Sequence, residues 1–372
     1  MRILIVNLML HSSEHGLITR RPSNHHTMIY TLARGFKSLG HSVTLAAAEE
    51  YRPLMDDDPG FNIVWFKSFM PRIFSPVLLP WPRKFAIWLR KHRKDFDLIL
   101  SSEVFSVPSL MCAVISPRKL LLWQEMSVYQ NKFRRVPAKI WYGVIARLCM
   151  RHIPVVARSM EAYRFINRFM SNVSDEIVSH GADENLFVPH SRRKNRFVSV
   201  SQLIPRKRID SIIHCFSELT AIPEYSDFRL DIVGDGPSRK ELEHRASLLG
   251  IADKVTFHGF KYHSEWAHIA DGAIAMLINT TQDLNMVTVS ESIVNGTPLL
   301  MNGVPATAQE VKEKKLGIVK DDWGTKEMIE SIERYDEFHS NCIRERQRLT
   351  NRGVASRLIE IARSMITLSV ND

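Results

Sequence analysis

Two carboxylates, Asp283 and Glu291, stand eight residues apart in Asp283-Leu-Asn285-Met286-Val287-Thr288-Val-Ser-Glu291, and Ser-Ile-Val-Asn-Gly296-Thr-Pro298 follows. The first acid falls in a polar loop behind an apolar run, the second in the opening turns of a helix that Gly296 ends. Backbone N–H groups at such a helix start can point at an anion. A carboxylate on either side can accept hydrogen bonds from sugar hydroxyls. A capped, solvent-facing helix start accounts for the same residues equally well.

A second group, Ser201-Gln202-Leu-Ile-Pro-Arg206-Lys207-Arg208, follows the apolar run Phe197–Val200. Three cations in one loop at a sheet edge suit a diphosphate, and Arg206 or Lys207 could neutralise charge that builds on a leaving group. A third, Ile232-Val-Gly234-Asp-Gly236-Pro237, reads as a strand-to-helix turn where glycine lets the backbone approach a ligand. Taken singly, each is also an ordinary loop of an α/β protein.

The elements that must position these groups repeat along the chain. Ile3–Val6 reads as a strand, about Asn24 to Leu39 as a helix ended by Gly40, and Ser42–Ala46 as a second strand, which makes a βαβ unit and implies a parallel sheet. Further strands are expected at Asn62–Phe66, Leu98–Leu100, Leu120–Trp123, Val155–Ala157 and Glu176–Val178, with helices at Ala138–Met150 and Ser159–Phe169. After a basic stretch at Pro189–Asn195 a second series opens. Its strands are expected at Phe197–Val200, Leu230–Val233, Val255–His258, Ala273–Ile278, Pro298–Met301 and Gly317–Val319. Ser238 and Glu241 form a capping-box pattern, and Arg352–Leu368 has the spacing of an amphipathic helix. The expected architecture is two doubly wound α/β domains, 1–189 and 190–350, with 351–372 crossing back to the first. Ligands are then expected at the carboxyl ends of the strands, in a cleft between the domains.

With 372 residues and 45% apolar content, the chain is long enough for two cores and too apolar for disorder. Its four cysteines lack metal-ligand or disulfide spacing and read as buried thiols of a reducing, cytoplasmic compartment. The start is too quickly polar for a signal peptide, and no run is long enough to span a membrane. Net charge is +10. Residues 1–190 hold 25 Lys and Arg against 15 acids, and 191–372 hold 25 against 25, so the whole excess is N-terminal. It gathers at Lys67–Lys94 and Lys132–Arg151 among tryptophans and phenylalanines, a pattern that suits an anionic membrane surface on the inner face, or simply a solvated helix face. Segment 70–92 is the leading membrane candidate. Nucleic acid is disfavoured, because no binding signature accompanies the charge.

In this order the segments resemble the retaining nucleotide-sugar glycosyltransferases of family 4, which have the GT-B fold: two Rossmann-like doubly wound domains facing each other across a cleft. Ser201-Gln202-Leu-Ile-Pro-Arg206-Lys207 is similar to the family's phosphate loop, Ile232-Val-Gly234-Asp-Gly236-Pro237 to its "IVGxGP", and Val255-Thr-Phe-His-Gly259-Phe260 to the segment beside the base. Asp283 to Glu291 falls on its E-x7-E, Gly40-His41-Ser-Val43 on "GHxV", and Gly181-Ala-Asp183…Phe187-Val-Pro189 on "GVDxxxFxP". Departures are Asp283 as the first acid, Gln202 where the family has arginine, a Gly-Gly loop reduced to Gly16, and Gln124-Glu125 at the family's His-acid pair.

The resemblance implies a hexosyltransferase-like, retaining enzyme of polysaccharide or glycoconjugate biosynthesis, with a nucleoside-diphosphate sugar as donor and a glycan or lipid-linked acceptor. Asp283, Lys207 and Arg206 would be catalytic. Glu291, Asn285, Met286, Val287, Thr288, Gln202, Gly234, Phe260, Gly16, Gln124 and Glu125 would bind substrate. No metal and no cofactor are expected. The rivals are a non-catalytic GT-B protein that binds a nucleotide sugar or a partner transferase, a GT-B sugar epimerase, and a glycoside hydrolase, which also uses paired carboxylates.

Overall fold

The structure is a computed structural model that describes residues 1–11, 18, 20–55, 58–70, 79–130, 135–189, 192–282 and 286–368. The chain forms two compact units. The first comprises Met1–Gly181 with Asn351–Asp372, and the second Ala182–Thr350. The basic stretch Pro189–Asn195 therefore lies inside the second unit.

The first unit holds seven strands: β1 (Arg2–Val6), β2 (Ser42–Ala48), β3 (Asn62–Phe66), β4 (Leu98–Ser102), β5 (Leu120–Gln124), β6 (Val155–Ala157) and β7 (Val173–Ile177). They lie in the order β3-β2-β1-β4-β5-β6-β7, every neighbouring pair parallel. The central strands are nearly continuous apolar runs because both of their faces are covered, while the edge strand β7 (Val-Ser-Asp-Glu-Ile) is polar. Helix Met28–Ser38 packs on one face with the C-terminal helix Asn351–Leu368, whose Val354, Ala355, Leu358 and Ile359 share a core with Ile29, Leu32 and Phe36. Gly35 permits this packing, since a Cβ there would meet the Asn351 carbonyl oxygen at 2.3 Å.

The second unit carries β8 (Arg196–Val200), β9 (Arg229–Val233), β10 (Val255–Gly259), β11 (Met276–Ile278), β12 (Leu299–Met301) and β13 (Gly317–Val319). Their order is β10-β9-β8-β11-β12-β13, again all parallel. Both sheets are doubly wound, and each reverses its strand order once, between β1 and β4 in the first and between β8 and β11 in the second.

Several expectations shift. Helix Met28–Ser38 starts four residues later than expected, because the Asn24 amide donates to the Tyr51 carbonyl at 2.8 Å and its carbonyl accepts from Thr27 N–H at 2.9 Å. The Ser238–Glu241 capping box does not form: Ser238 has helical backbone, makes no side-chain cap, and donates its N–H to the Leu203 carbonyl at 3.0 Å. Cys112, Cys215 and Cys342 are buried but Cys149 is exposed. In segment 70–92, residues 71–78 lie outside the described residues. Beyond them Phe85 and Leu89 are fully buried, and Trp88 packs against Phe66, Phe85 and Phe96. Most of that apolar face belongs to the core.

Candidate functional site

The crevice of a doubly wound sheet lies outside the carboxyl ends of the strands where their order reverses. In the second unit that point is flanked by the loops after β8 and β11. The loop after β8 runs through exposed Gln202 and fully buried Leu203 into a tight turn, Pro205–Lys207, and Arg208 closes it in the left-handed region at φ 48°. Arg206 ties this loop to its neighbour. Its guanidinium donates to the Gln282 carbonyl at 2.6 Å, and its own carbonyl accepts from Thr281 N–H at 2.9 Å and the Thr280 hydroxyl at 3.2 Å. Lys207 is buried. The cationic loop and the segment leading to the acidic helix are thus one bonded structure.

Asp283 and Asn285 lie outside the described residues. Met286 is the buried, extended N-cap of helix Val287–Val294 and offers no side-chain cap. Val287 and Thr288, both half-buried, open the helix, where the first amides have no intrahelical acceptor. The Thr288 hydroxyl is buried without a hydrogen-bond partner among the described residues. Glu291 is only 4% exposed, and one carboxylate oxygen sits 2.7 Å from His263 Nδ1. Burial pushes the His263 pKa down, but the hydrogen bond and charge of Glu291, helped by Asp183, outweigh it and leave the pKa raised. His263 was not singled out from the sequence. The only signal was its place three residues after Phe260, at the start of helix His263–Ala270.

Gly234 has φ 132°, and a Cβ there would stand 1.8 Å from the Ser201 carbonyl oxygen. Gly236 approaches Leu203 in the same way, at 2.4 Å. These glycines bring the end of β9 against the loop after β8, whereas the sequence suggested an approach to a ligand. Gly234 N–H also donates to the Gly259 carbonyl at 2.8 Å, which fastens β9 to β10. Just beyond, Phe260 is 69% exposed and packs edge-on against Tyr262, centroids 5.3 Å apart. His258 is structural: it lies 2.6 Å from the buried Asp231, which Arg196 also pairs at 3.2 Å.

The first unit has a parallel feature at its own order reversal. A pocket of about 70 Å³ is lined by Asn7 after β1, by Ser102 at the end of β4 with Glu103 and Ser106 beyond it, and by Met126 and Gln130. Glu103 has φ 67°, a left-handed conformation rarely held by a non-glycine residue, and such strain gathers at functional sites. Its two oxygens accept the N–H groups of Glu125 at 2.8 Å and Met126 at 3.2 Å. Desolvation pushes its carboxyl up to about 7, against the opposing charge of Arg158. Gln124 is fully buried, its amide oxygen accepting from Val104 N–H at 2.9 Å and its nitrogen donating to the Met126 carbonyl at 2.8 Å, so it organises the loop from inside. Glu125 reaches Arg158 at 2.7 Å and His180 at 3.4 Å, and the Arg158 guanidinium lies 3.7 Å above the Trp123 ring. Gly16 lies outside the described residues. Among the described residues no cluster of His, Cys, Asp and Glu has metal-binding geometry.

Two parallel, doubly wound Rossmann-like domains of this connectivity define the GT-B fold. The structure of the Anabaena protein HepE in complex with UDP matches over 98% of this chain and 100% of its own, with TM-score 0.66 and 14% identity. Residues 183–353, just under half of the chain, match the model of glycosyl transferases group 1, and the fold of the chain is GT-B. The alpha-monoglucosyldiacylglycerol synthase of Streptococcus pneumoniae is 28% identical over 120 residues, 32% of this chain and 27% of that protein. The alpha-D-kanosaminyltransferase of Streptomyces kanamyceticus is 29% identical over 136 residues, 36% of this chain and 34% of that protein. The chain thus spans about a third or less of these relatives.

Proposed function

We propose that this chain is a retaining glycosyltransferase that moves a sugar from a nucleoside-diphosphate sugar to a glycan or lipid-linked acceptor. The observation that carries the reading is the bonding of the Arg206–Lys207 loop to the segment ahead of the helix that buries Glu291, at the point where the sheet reverses its order. The names of its relatives, a monoglucosyldiacylglycerol synthase and a kanosaminyltransferase, support sugar transfer.

In this reading Glu291 accepts the ribose hydroxyls and Phe260 offers its exposed ring to the base. The diphosphate lies between the Arg206–Lys207 loop and the amides of Met286, Val287 and Thr288. Asp283 and Asn285 meet the donor sugar. An acceptor hydroxyl oxygen attacks the anomeric carbon on the face from which the diphosphate departs. The bond from that carbon to the phosphate oxygen breaks, the diphosphate keeps the electron pair, and it takes the acceptor proton. Arg206 and Lys207 stabilise the charge that grows on it, so the step needs no metal. The acceptor is held at the first-unit pocket beside Glu103.

Release of free nucleotide from a panel of UDP-, GDP- and TDP-sugars, with products resolved by anomeric configuration, tests this. The reading expects one donor to be consumed and Glu291→Ala to abolish its binding. Nucleotide binding unchanged by Glu291→Ala would overturn the site, and binding without turnover across donors and acceptors would overturn the catalytic reading.

A further inference from the structure

The stretch between Glu125 and Glu161 contains seven Lys and Arg and no acidic residue. Its described helical part runs through Val136–Ile140, a wider π-helical turn at Trp141–Ala146, and Arg147–Cys149. One side is anchored in the core by Ala138, Trp141, Tyr142, Ala146 and Met150, with the Trp141 indole N–H donating to the Val104 carbonyl at 2.8 Å.

The opposite side carries a row of exposed apolar side chains: Val136 at 50%, Ile140 at 54%, Val144 at 50% and Leu148 at 79%. In a regular α-helix, residues four apart drift by about 40° at each step, so such a row would wind off the face. The wider i→i+5 turn at Trp141–Ala146 counters this drift, and all four side chains stay exposed on the side away from the core. A soluble surface normally scatters such residues singly. Arg135 and Lys139 lie exposed beside the ridge, as do Arg147 and Arg151 at its far end.

An apolar ridge flanked by cations, in a segment without an acidic residue, matches the chemistry of an anionic bilayer, where apolar side chains enter the headgroup boundary and cations meet the phosphates. We propose that the ridge Val136–Ile140–Val144–Leu148, with Lys139 and its basic neighbours, is the surface by which this chain docks onto an anionic lipid bilayer. No helix among the described residues is long and apolar enough to cross a membrane. The docking is interfacial, reversible and salt-sensitive, and independent of what the two sheet crevices bind.

Flotation of the full chain tests it, with vesicles of phosphatidylcholine alone and of phosphatidylcholine mixed with phosphatidylglycerol. The chain is expected to float with the mixed vesicles and not with the neutral ones, and to be released by added salt. The double variant Ile140→Ser/Leu148→Ser is expected to raise the lipid concentration for half-binding by at least about tenfold. Lys139→Glu should weaken binding further, and Leu248→Ser, at an equally exposed apolar residue of the second unit, should leave it unchanged. The substituted side chains are at the surface, so thermal melts of the variants should superimpose on the parent. Absence of flotation with the mixed vesicles overturns the proposal, as does equal binding by the double variant. A ridge-dependent dimer in sedimentation velocity without vesicle binding would assign the surface to a second copy instead, and would also overturn it.

Discussion

Gly234→Ala probes whether the second unit's crevice depends on two strand ends being pressed together. The new Cβ would lie 1.8 Å from the Ser201 carbonyl oxygen and 2.9 Å from its carbon, so the two backbones must part by more than an ångström. One hydrogen bond joins them now, Ser201 N–H to the Val233 carbonyl at 3.0 Å, and Gly234 is held from its other side by its N–H to the Gly259 carbonyl at 2.8 Å. Losing both removes about 2 kcal/mol. Forcing alanine into φ 132° costs about 1–3 kcal/mol more. A loss of roughly 3–5 kcal/mol in a unit of this size lowers its melting temperature by about 10 °C. Calorimetry should show the second unit melting early while the first stays in place. Because Ser201 leads directly into Gln202, Arg206 and Lys207, a displacement of this size should also lower turnover about a hundredfold. Gly236→Ala, whose Cβ would meet the Leu203 carbonyl oxygen at 2.4 Å without a positive φ, should be milder. A Gly234→Ala protein that melts with the parent would refute the claim that this contact sets the loop.

Other residues give sharper separations between binding and folding. Phe260→Ala removes an aromatic ring that is 69% exposed, so stability should hold while nucleotide affinity falls about tenfold, as read by calorimetric titration; unchanged affinity would exclude base stacking there. The raised His263 pKa means that its pairing with Glu291 is complete below pH 6.5 and is lost as pH rises through the higher folded value. NMR titration should therefore place the His263 midpoint above 6.5, and Glu291→Gln should drop it below, because burial, the largest influence, is then opposed only by the smaller pull of Asp183. For Glu103 the sign is the same, through burial rather than a partner: its carboxyl rises from 4.5 to about 7 in the folded chain, so the native state keeps the proton longer. Stability should fall as pH climbs from 4.5 to 7, by on the order of 3 kcal/mol from this group. Denaturant melts of Glu103→Gln across that interval should be flatter than the parent's, and equal slopes would count against a desolvated carboxylate.

The central strands were legible because each is buried on both faces and so appears as a short apolar run, such as Leu120-Leu-Leu-Trp123 or Leu230-Asp-Ile-Val233, unlike the edge strand Val173–Ile177, which has no buried residue. Strand order was implied rather than read. Once β8 and β11 are seen to flank the reversal, the cationic loop and the acidic helix have to meet, and the Arg206–Gln282 bond records the meeting. What stayed hidden depends on contacts far apart in sequence. The Ser238–Glu241 pattern has the right spacing for a capping box, but the Ser238 amide is claimed by Leu203, from the loop after a different strand. His263 looks like any polar residue at a helix start until Glu291 is folded beside it. Gln124 has the place of a ligand-binding side chain, yet both ends of its amide are spent on Val104 and Met126. The membrane reading turned on the same distinction. Composition put aromatic and basic residues together at 70–92, but the packing of Phe85, Trp88 and Leu89 consumes that face. The less aromatic helix at 136–149, widened by a π-helical turn no local pattern announces, is left with its apolar row in water. Local chemistry proposes where a ligand or surface could bind. Which side chains still have an unused face is decided by the long-range contacts of the two sheets.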